Sequence, residues 1–241
     1  MNGISDIKFL ENMKLDKLQT LFLCNNKITE INIFEKINFK ELNELFIDFN
    51  YISEINVLEK INCNKLEKIG LSNNKISDIN VLKKVNFQEL KELNLSDNNI
   101  SDILVLKDAK FDKLELLRLE NNKIIDIKAL EKANVKELKK LYLGNNEISN
   151  IKVLEKVKFS KIEKISLKNN KITDINILGK VNFKQLKKLD LSNNNISKIK
   201  VLEKVKFENL EKLNLSNNKI DKDKNSKIID ILSEEISDFE C

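Results

Sequence analysis

The sequence of 241 residues contains no histidine, no tryptophan and no proline, and it has three cysteines and a single arginine. Without histidine there is no Ser-His-Asp or Cys-His catalytic relay, and no histidine-ligated zinc or haem. Three cysteines are also too few for a four-thiolate metal site. We therefore expect no catalytic residue, no metal and no cofactor, and we predict that the chain is not an enzyme.

Charge and hydropathy exclude two further classes of protein. Lysine and arginine together number 43 and acidic residues 38, so the net charge of +5 is mild for this length. Nucleic-acid-binding domains usually carry a larger imbalance and more arginine, so we expect no nucleic-acid partner. The sequence has no apolar run approaching the roughly 18 residues of a transmembrane helix, and we expect no membrane segment.

One asparagine recurs every 24 residues, and the residues around it keep the same order in each copy. The alternating Leu-x-Leu segment before the asparagine predicts a strand with one buried face. The segment after it, Ile-x-x-Ile-x-Val-Leu, has helical or 3₁₀ spacing. One such unit cannot bury its own apolar face, whereas stacked units bury a continuous core. The recurring asparagines are Asn26, Asn50, Asn74, Asn98, Asn122, Asn146, Asn170, Asn194 and Asn218.

The frame Leu-x-x-Leu-x-Leu-x-x-Asn-x-Ile resembles the leucine-rich repeat family. Its second half is similar to the short repeats of internalins and of phosphatase-regulatory leucine-rich proteins. The resemblance implies an α/β solenoid, a right-handed superhelix with a concave parallel β-sheet and short helices or 3₁₀ turns on the convex side. It also implies that the recurring asparagines form a ladder whose amides satisfy backbone groups in the turn after each strand.

The repeat frame divides the chain into three parts. Residues 1–17 match the second half of a repeat that lacks its strand, so the start is either cut from a longer protein or covered by a partner. Residues 18–220 form the solenoid with nine strand-bearing copies. Residues 221–241 leave the frame, and apolar residues at helical spacing predict a capping helix over residues 225–237. They are Ile228, Ile229, Leu232 and Ile236.

Phenylalanine recurs at one position of the convex half, which predicts a buried core column and no aromatic binding box. The column contains Phe39, Phe87, Phe111, Phe159, Phe183 and Phe207, with Cys63 and Val135 in two other copies. Cys24 follows a strand leucine and is expected on the concave side as a solvent-reachable thiol, on the opposite face from Cys63. Unpaired cysteines are typical of a reducing compartment, so we predict a cytoplasmic location.

The strand positions between the leucines face the concave surface, and most copies place Ser, Asn, Glu or Lys there. Large or apolar residues at these positions do not contribute to the core, so they are candidates for partner binding. The first cluster contains Phe22, Phe46, Phe49 and Tyr51, with Gly70 predicted to leave a pocket beside Phe46. The second cluster contains Leu116, Arg118, Glu120 and Tyr142, flanked by Gly144. The alternatives are drift on a tolerant surface and, for the first cluster, shielding of the open N-terminal edge.

Lysines collect on the concave side of the last four copies, Lys212 of the last copy among them, whereas acidic residues such as Asp48 and Glu92 exceed basic ones in the first five. The candidates are Lys140, Lys164, Lys168 and Lys188, which would face an acidic patch on a protein partner. The alternative is that these lysines are simply solvated.

The sequence therefore predicts a non-enzymatic scaffold that binds a partner protein on its concave face. Two other hypotheses stay open at this point. The chain is an adhesin or effector resembling internalins, or it is the targeting subunit of a multi-chain enzyme such as a phosphatase or ubiquitin ligase. We expect a monomer unless another chain covers the open N-terminal end.

Overall fold

The computed structural model describes residues 3–205 and 208–241. Within these residues ten strands form one parallel sheet whose strands follow one another in chain order. The strands are β1 Thr20–Phe22, β2 Glu44–Phe46, β3 Lys68–Gly70, β4 Glu92–Asn94, β5 Leu116–Arg118, β6 Lys140–Tyr142, β7 Lys164–Ser166, β8 Lys188–Asp190, β9 Lys212–Asn214 and β10 Asp238–Glu240. This architecture confirms the predicted leucine-rich repeat solenoid.

Equivalent residues of successive copies lie side by side in the sheet. Leu45 of β2, for example, is in register with Leu21 of β1 and Ile69 of β3. The register follows from the constant repeat length, since every copy has the same number of residues between one strand and the next. Each position of the repeat therefore forms a column that crosses the sheet.

Short 3₁₀ helices pack on the convex side, and each of them follows a buried isoleucine of the frame. In Asn56–Glu59, for instance, Val57 and Leu58 point into the core. The 3₁₀ helices are Lys8–Asn12, Asn32–Lys36, Asn56–Glu59, Asn80–Lys83, Leu104–Lys107, Lys128–Glu131, Lys152–Glu155, Asn176–Gly179 and Lys200–Glu203.

The core is continuous from Ile7 to Ile236 and is built from the apolar frame residues of every copy. The phenylalanine column is buried as predicted at the five positions that the structure describes, and Cys63 and Val135 are buried in the same column. Phe207 lies outside the described residues.

The asparagine ladder is confirmed, and each amide joins neighbouring copies. The Asn74 Nδ2 group donates to the carbonyls of Ile47 at 3.0 Å, Leu71 at 3.2 Å and Ser72 at 3.1 Å. Its Oδ1 atom accepts from the backbone N–H of Ile52 at 3.0 Å. These bonds satisfy backbone groups that a turn between stacked strands would otherwise leave buried and unpaired.

A helix and a further strand lie in the C-terminal tail. Helix α1 spans Ser226–Glu235, and its Ile228 and Leu232 are buried. Strand β10 then pairs with β9 in parallel, with Phe239 beside Leu213. The sequence analysis did not anticipate β10, because its register departs from the repeat length.

The N-terminal segment packs on the first copy through its convex half. Ile7 and Leu10 are buried, and the backbone N–H of Ile4 donates to Asn26 Oδ1 at 3.1 Å. Asn2, which the frame also includes, lies outside the described residues. None of the helices in the part of the chain that the structure describes is long and apolar enough to cross a membrane.

Candidate binding surface

Three columns of side chains form the concave face. The first column holds the opening residue of each strand, from Thr20 to Lys212, and the second holds the closing residue, from Phe22 to Asn214. We call the residue two positions after each strand the third column, which includes Cys24, Asp48, Ser72, Ser96, Glu120, Gly144 and Lys168. Buried strand residues such as Leu45 separate the first two columns and anchor them to the core.

The first predicted cluster contains an aromatic stack at the start of the second column. The rings of Phe22 and Phe46 are 4.9 Å apart between centroids and inclined by 15°. Phe22 is 68% exposed, and Phe46 is half-buried. The stack therefore presents apolar area to solvent on β1 and β2.

Phe49 and Tyr51 belong to the turn after β2 and lie outside the strand itself. Phe49 has a φ of 56° and is 50% exposed. Tyr51 is also exposed, and the Lys75 ammonium lies 4.9 Å from its ring centroid. The first cluster thus extends from the sheet onto the turn that borders it.

The second predicted cluster is held together by contacts of Arg118. Its guanidinium carbon lies 4.4 Å from the centroid of the Tyr142 ring, and its Nη1 is 3.4 Å from Glu120 Oε1. The Lys164 ammonium lies 4.9 Å from the same ring. Arg118 is therefore held by Tyr142 and Glu120 within the chain itself, and its side chain is still 39% exposed. Leu116 is half-buried beside Lys140 in the first column.

A groove of about 370 Å³ lies between the two clusters, over strands β2 to β5. Phe46 and Phe49 line one side of the groove, and Leu116 and Arg118 line the other. Gly70 lies between them in the second column, where a larger side chain would fill the depression. The structure thus brings the two predicted clusters to one groove.

The Asp48 carboxylate occupies the space directly over Gly70, because a Cβ at position 70 would overlap it. Asp48 Oδ1 accepts from the Ser72 backbone N–H at 2.8 Å and from the Ser72 hydroxyl at 2.6 Å. Asp48 Oδ2 accepts from the Cys24 thiol at 3.5 Å. Gly70 therefore leaves room for a buried carboxylate as well as for the groove above it.

Cys24 lies in the third column as predicted, but it is half-buried. Burial raises the pKa of its thiol to about 11, and the negative charge of Asp48 contributes in the same direction. A thiol with this pKa is protonated at neutral pH and reacts slowly. The expectation of a readily reachable thiol at Cys24 therefore needs this correction.

The predicted lysines form what we call the lysine stripe, defined as Lys140, Lys164, Lys168 and Lys188. Across residues 3–205 and 208–241 no ion pair includes any of the four, although many other lysines pair with a glutamate one copy away. The Lys168 side chain passes over Gly144, where a Cβ would lie 2.9 Å from Lys168 Cγ. The stripe thus presents uncompensated positive charge.

The prediction that Lys212 adds to the free positive charge of the last copies is wrong, because Lys212 is paired, so we do not include it in the stripe. Its ammonium lies 2.9 Å from Asp238 Oδ2 and 2.8 Å from Glu240 Oε1 on β10. Hydrogen bonds to these two carboxylates raise the pKa of Lys212 above its ordinary value. The tail strand therefore ends the positive region of the concave face.

Some exposed apolar residues escaped the sequence analysis, which compared copies only at the concave positions of the strands. Among them are Leu104, on a 3₁₀ helix, and Ile125. Asp48 was counted with the acidic residues of the first copies, but its contact with Ser72 was not predicted. Ile125 replaces a serine or threonine found in most copies at that position. A comparison of the copies at positions outside the strands would identify both Leu104 and Ile125.

Among the residues that the structure describes, no group of three or more cysteine, aspartate or glutamate side chains is arranged to hold a metal ion.

Family models match the chain in three places. The model described as Leucine Rich repeats (2 copies) matches residues 136–180 and 184–228, and the model described as Leucine Rich Repeat matches residues 89–106. Together with the frame and the sheet, these matches support the predicted leucine-rich repeat family. No curated protein matches the chain.

Solved structures with the same architecture include two internalins of Listeria monocytogenes. The internalin inlF is 28% identical with a TM-score of 0.65, and the match covers 90% of this chain and 65% of the internalin. Internalin C2 is 25% identical with a TM-score of 0.67, and the match covers 79% of this chain and 77% of that one. The chain therefore spans about two thirds of the length of the first internalin.

A plant receptor is similar as well. The leucine-rich repeat ectodomain of the membrane receptor kinase GASSHO1/SCHENGEN3 from Arabidopsis thaliana was solved in complex with CASPARIAN STRIP INTEGRITY FACTOR 2. It is 26% identical with a TM-score of 0.69, and the match covers 89% of this chain and 26% of the ectodomain.

Proposed function

We propose that the chain is a protein-recognition module that binds a partner protein on its concave face, with Leu116, Arg118 and Tyr142 at the centre of the contact. The observation that carries the proposal is the Arg118 guanidinium, which lies 4.4 Å from the Tyr142 ring while its side chain remains 39% exposed. Arginine and tyrosine dominate the energetics of protein interfaces. A planar fork that is already ordered loses little freedom on binding a carboxylate.

The lysine stripe supports a partner with an acidic patch. Lys140, Lys164 and Lys188 lie in register on neighbouring strands, roughly 4.8 Å apart across the sheet. Their mutual repulsion is not relieved by any ion pair in the described part of the chain. Acidic groups on a partner would compensate these charges and speed its association.

The solved relatives favour protein binding and one more specific role. The Arabidopsis receptor ectodomain was solved with a second protein, which is the kind of contact proposed here. The likeness to two internalins favours an adhesin or effector as the second candidate. The role of a targeting subunit for a phosphatase or ubiquitin ligase stays a prediction of the sequence.

We place the chain in a reducing compartment such as the cytoplasm, and we assign no catalytic step to it. The location is supported by Cys24, Cys63 and Cys241, all of which are free thiols. The lack of catalysis is supported by the absence of histidine from the sequence, because no imidazole exists to act as a general base.

Parallel capture of partners tests the proposal. A lysate of the cell that expresses the chain is passed over three immobilised proteins: the wild type, the concave variant Arg118→Ala/Tyr142→Ala, and the convex control Lys152→Ala/Lys200→Ala. Both control lysines are exposed on 3₁₀ helices. We expect a partner that the wild type and the convex control retain and that the concave variant loses. Equal retention of every captured protein by all three would overturn the proposed surface.

A further inference from the structure

We propose that the partner inserts a lysine or arginine side chain into the groove between Phe46 and Arg118, where its cation pairs with Asp48. This inference rests on the proposed function and names the chemistry of one anchor residue of the partner. It concerns the acidic half of the concave face and is separate from the lysine stripe.

Two carboxylates line the groove without taking part in an ion pair among the described residues. Lys68, Arg118, Asp48 and Glu92 are the charged residues that line it. Lys68 Nζ is already 2.9 Å from Glu44 Oε1, and Arg118 Nη1 is 3.4 Å from Glu120 Oε1. Within residues 3–205 and 208–241 no ion pair includes Asp48 or Glu92. A cation that enters the groove therefore meets Asp48, which has no cationic partner there, and Glu92, whose charge is offset only by the nearby Lys68.

Asp48 is buried with an acceptor oxygen that is poorly used. The residue is only 9% exposed, and both strong hydrogen bonds from Ser72 go to Oδ1. Oδ2 receives only the Cys24 thiol at 3.5 Å, which is a weak donor. Because Gly70 has no side chain, this oxygen lies at the floor of the groove. A buried carboxylate with spare acceptor capacity favours an ammonium or guanidinium donor.

The walls of the groove suit the rest of such a side chain. Phe46 and Phe49 offer aromatic faces to a cation and to an aliphatic stem. Phe46 on β2 and Arg118 on β5 are three strands apart, which gives an opening of roughly 14 Å. An uncharged apolar side chain would instead seal the Asp48 carboxylate from water without neutralising it. An acidic side chain would meet like charges at both Asp48 and Glu92.

Small-molecule titration followed by NMR tests the groove without any partner. The full chain, labelled with ¹⁵N, is titrated with n-butylammonium as the lysine side-chain analogue, with 1-butanol as the neutral analogue, and with butyrate as the anion. We expect saturable shifts of the Gly70 and Ser72 amides with n-butylammonium, and binding of 1-butanol weaker by roughly five-fold or more. Butyrate is expected to shift amides along the lysine stripe instead.

Variants of Asp48 connect the shifts to the proposed contact. Asp48→Asn keeps an oxygen for the Ser72 bonds, and Asp48→Ser introduces the residue that Ser72 and Ser96 place in the same column. Both are expected to lose the preference for n-butylammonium while their melting temperatures stay close to the wild type. The matched control Asp190→Asn changes an acidic residue of the concave face outside the groove and is expected to keep the preference.

Equal affinities for n-butylammonium and 1-butanol, or an unchanged preference in both Asp48 variants, would overturn the inference. This outcome is distinct from a failure of the proposed function. Loss of a captured partner in the Arg118→Ala/Tyr142→Ala variant tests the second cluster, whereas the titration tests the preference for a cation that Asp48, outside that cluster, is proposed to give.

Discussion

Phe49 occupies a turn position that asparagine or aspartate fills in the other copies. All nine residues at this position have a positive φ, and that of Phe49 is 56°. A left-handed backbone costs an ordinary residue roughly 1–2 kcal/mol, whereas asparagine and aspartate tolerate it better. Half of the Phe49 side chain is exposed, so core packing does not offset this cost. The proposed binding role on the groove wall would explain why this copy has phenylalanine at a position that favours asparagine.

Replacing Phe49 tests whether this residue lowers stability and contributes to partner binding. We expect Phe49→Asn to raise the free energy of unfolding by about 1 kcal/mol and to weaken partner binding. The reverse change in the next copy, Asn73→Phe, is the matched control and is expected to lower stability by a similar amount. Urea denaturation measures both. A Phe49→Asn variant less stable than the wild type would show that the aromatic ring supports the fold.

Cys24 gives a pH dependence that reports on Asp48. Its pKa of about 11 results first from burial and then from the Asp48 charge. Because only the thiolate is alkylated, the rate of iodoacetamide labelling should rise with pH through this value, above the ordinary value of 9.0. In Asp48→Asn the charge is removed, so the rise should move to lower pH while burial keeps it above the ordinary value. Mass spectrometry separates the labelled peptides.

Cys63 serves as the internal control for this experiment. Burial alone raises the pKa of its thiol to about 12, and no charged neighbour contributes, so Asp48→Asn should leave its labelling unchanged. A Cys24 profile that does not respond to Asp48→Asn would contradict the contact between the two side chains.

At the scale of the element, the repeating strands could be predicted from Leu-x-Leu alternation because the stacked frame repeats without insertion. Strand β10 could not be predicted in this way. Its register with β9 is set by helix α1, which breaks the repeat length, and Asp238–Glu240 is too short for an alternating pattern to stand out. Helix α1 itself could be predicted from the sequence, since four apolar residues recur at helical spacing between positions 228 and 236.

The candidate binding surface could also be predicted only in part from the sequence. Comparison between copies placed Phe22, Phe46, Arg118 and Tyr142 on the concave columns, because strand position alone determines which face a residue occupies. The ion pair between Arg118 and Glu120 and the contact of Asp48 with Ser72 were not predictable. Both depend on side-chain rotamers, within one copy for Arg118 and Glu120 and between neighbouring copies for Asp48 and Ser72, and no repeat pattern encodes them.

Helix α1 is expected to stabilise the last copies by covering their core. Leu232 is buried, and it lines the junction with Leu202 and Leu213. We expect Leu232→Ala to lower the free energy of unfolding by about 3 kcal/mol through lost burial and a residual cavity. Lys227→Ala, on the exposed face of the same helix, should change it by less than about 0.5 kcal/mol. Urea denaturation followed by circular dichroism compares them, and equal stability of both variants would contradict the capping role.

At the scale of the whole molecule, the concave face changes from acidic to basic along the solenoid. The stripe begins at Lys140 on β6 and ends before Lys212, which β10 neutralises. A partner that lies along this face would be oriented by the two fields, with its basic anchor toward the first copies and its acidic patch toward the last.

Lys188 tests the steering part of this account. We expect Lys188→Ser to slow association with the captured partner and to reduce the salt dependence of the association rate, with little effect on dissociation. Lys200→Ser, on the convex side, is the matched control and should leave both rates unchanged. Surface plasmon resonance at low and high salt measures them. The same association rate for Lys188→Ser and the wild type at low salt would argue against electrostatic steering.

The dissociation constant of the captured partner for Arg118→Ala, compared with the wild type, tests the central claim most directly. The account predicts a loss of about 2 kcal/mol, which is roughly a 30-fold weaker complex, with an unchanged melting temperature. Tyr142→Ala should act in the same direction, because it removes the ring on which the guanidinium is ordered. Wild-type dissociation constants for both variants would contradict the account and would place the binding surface elsewhere on the solenoid.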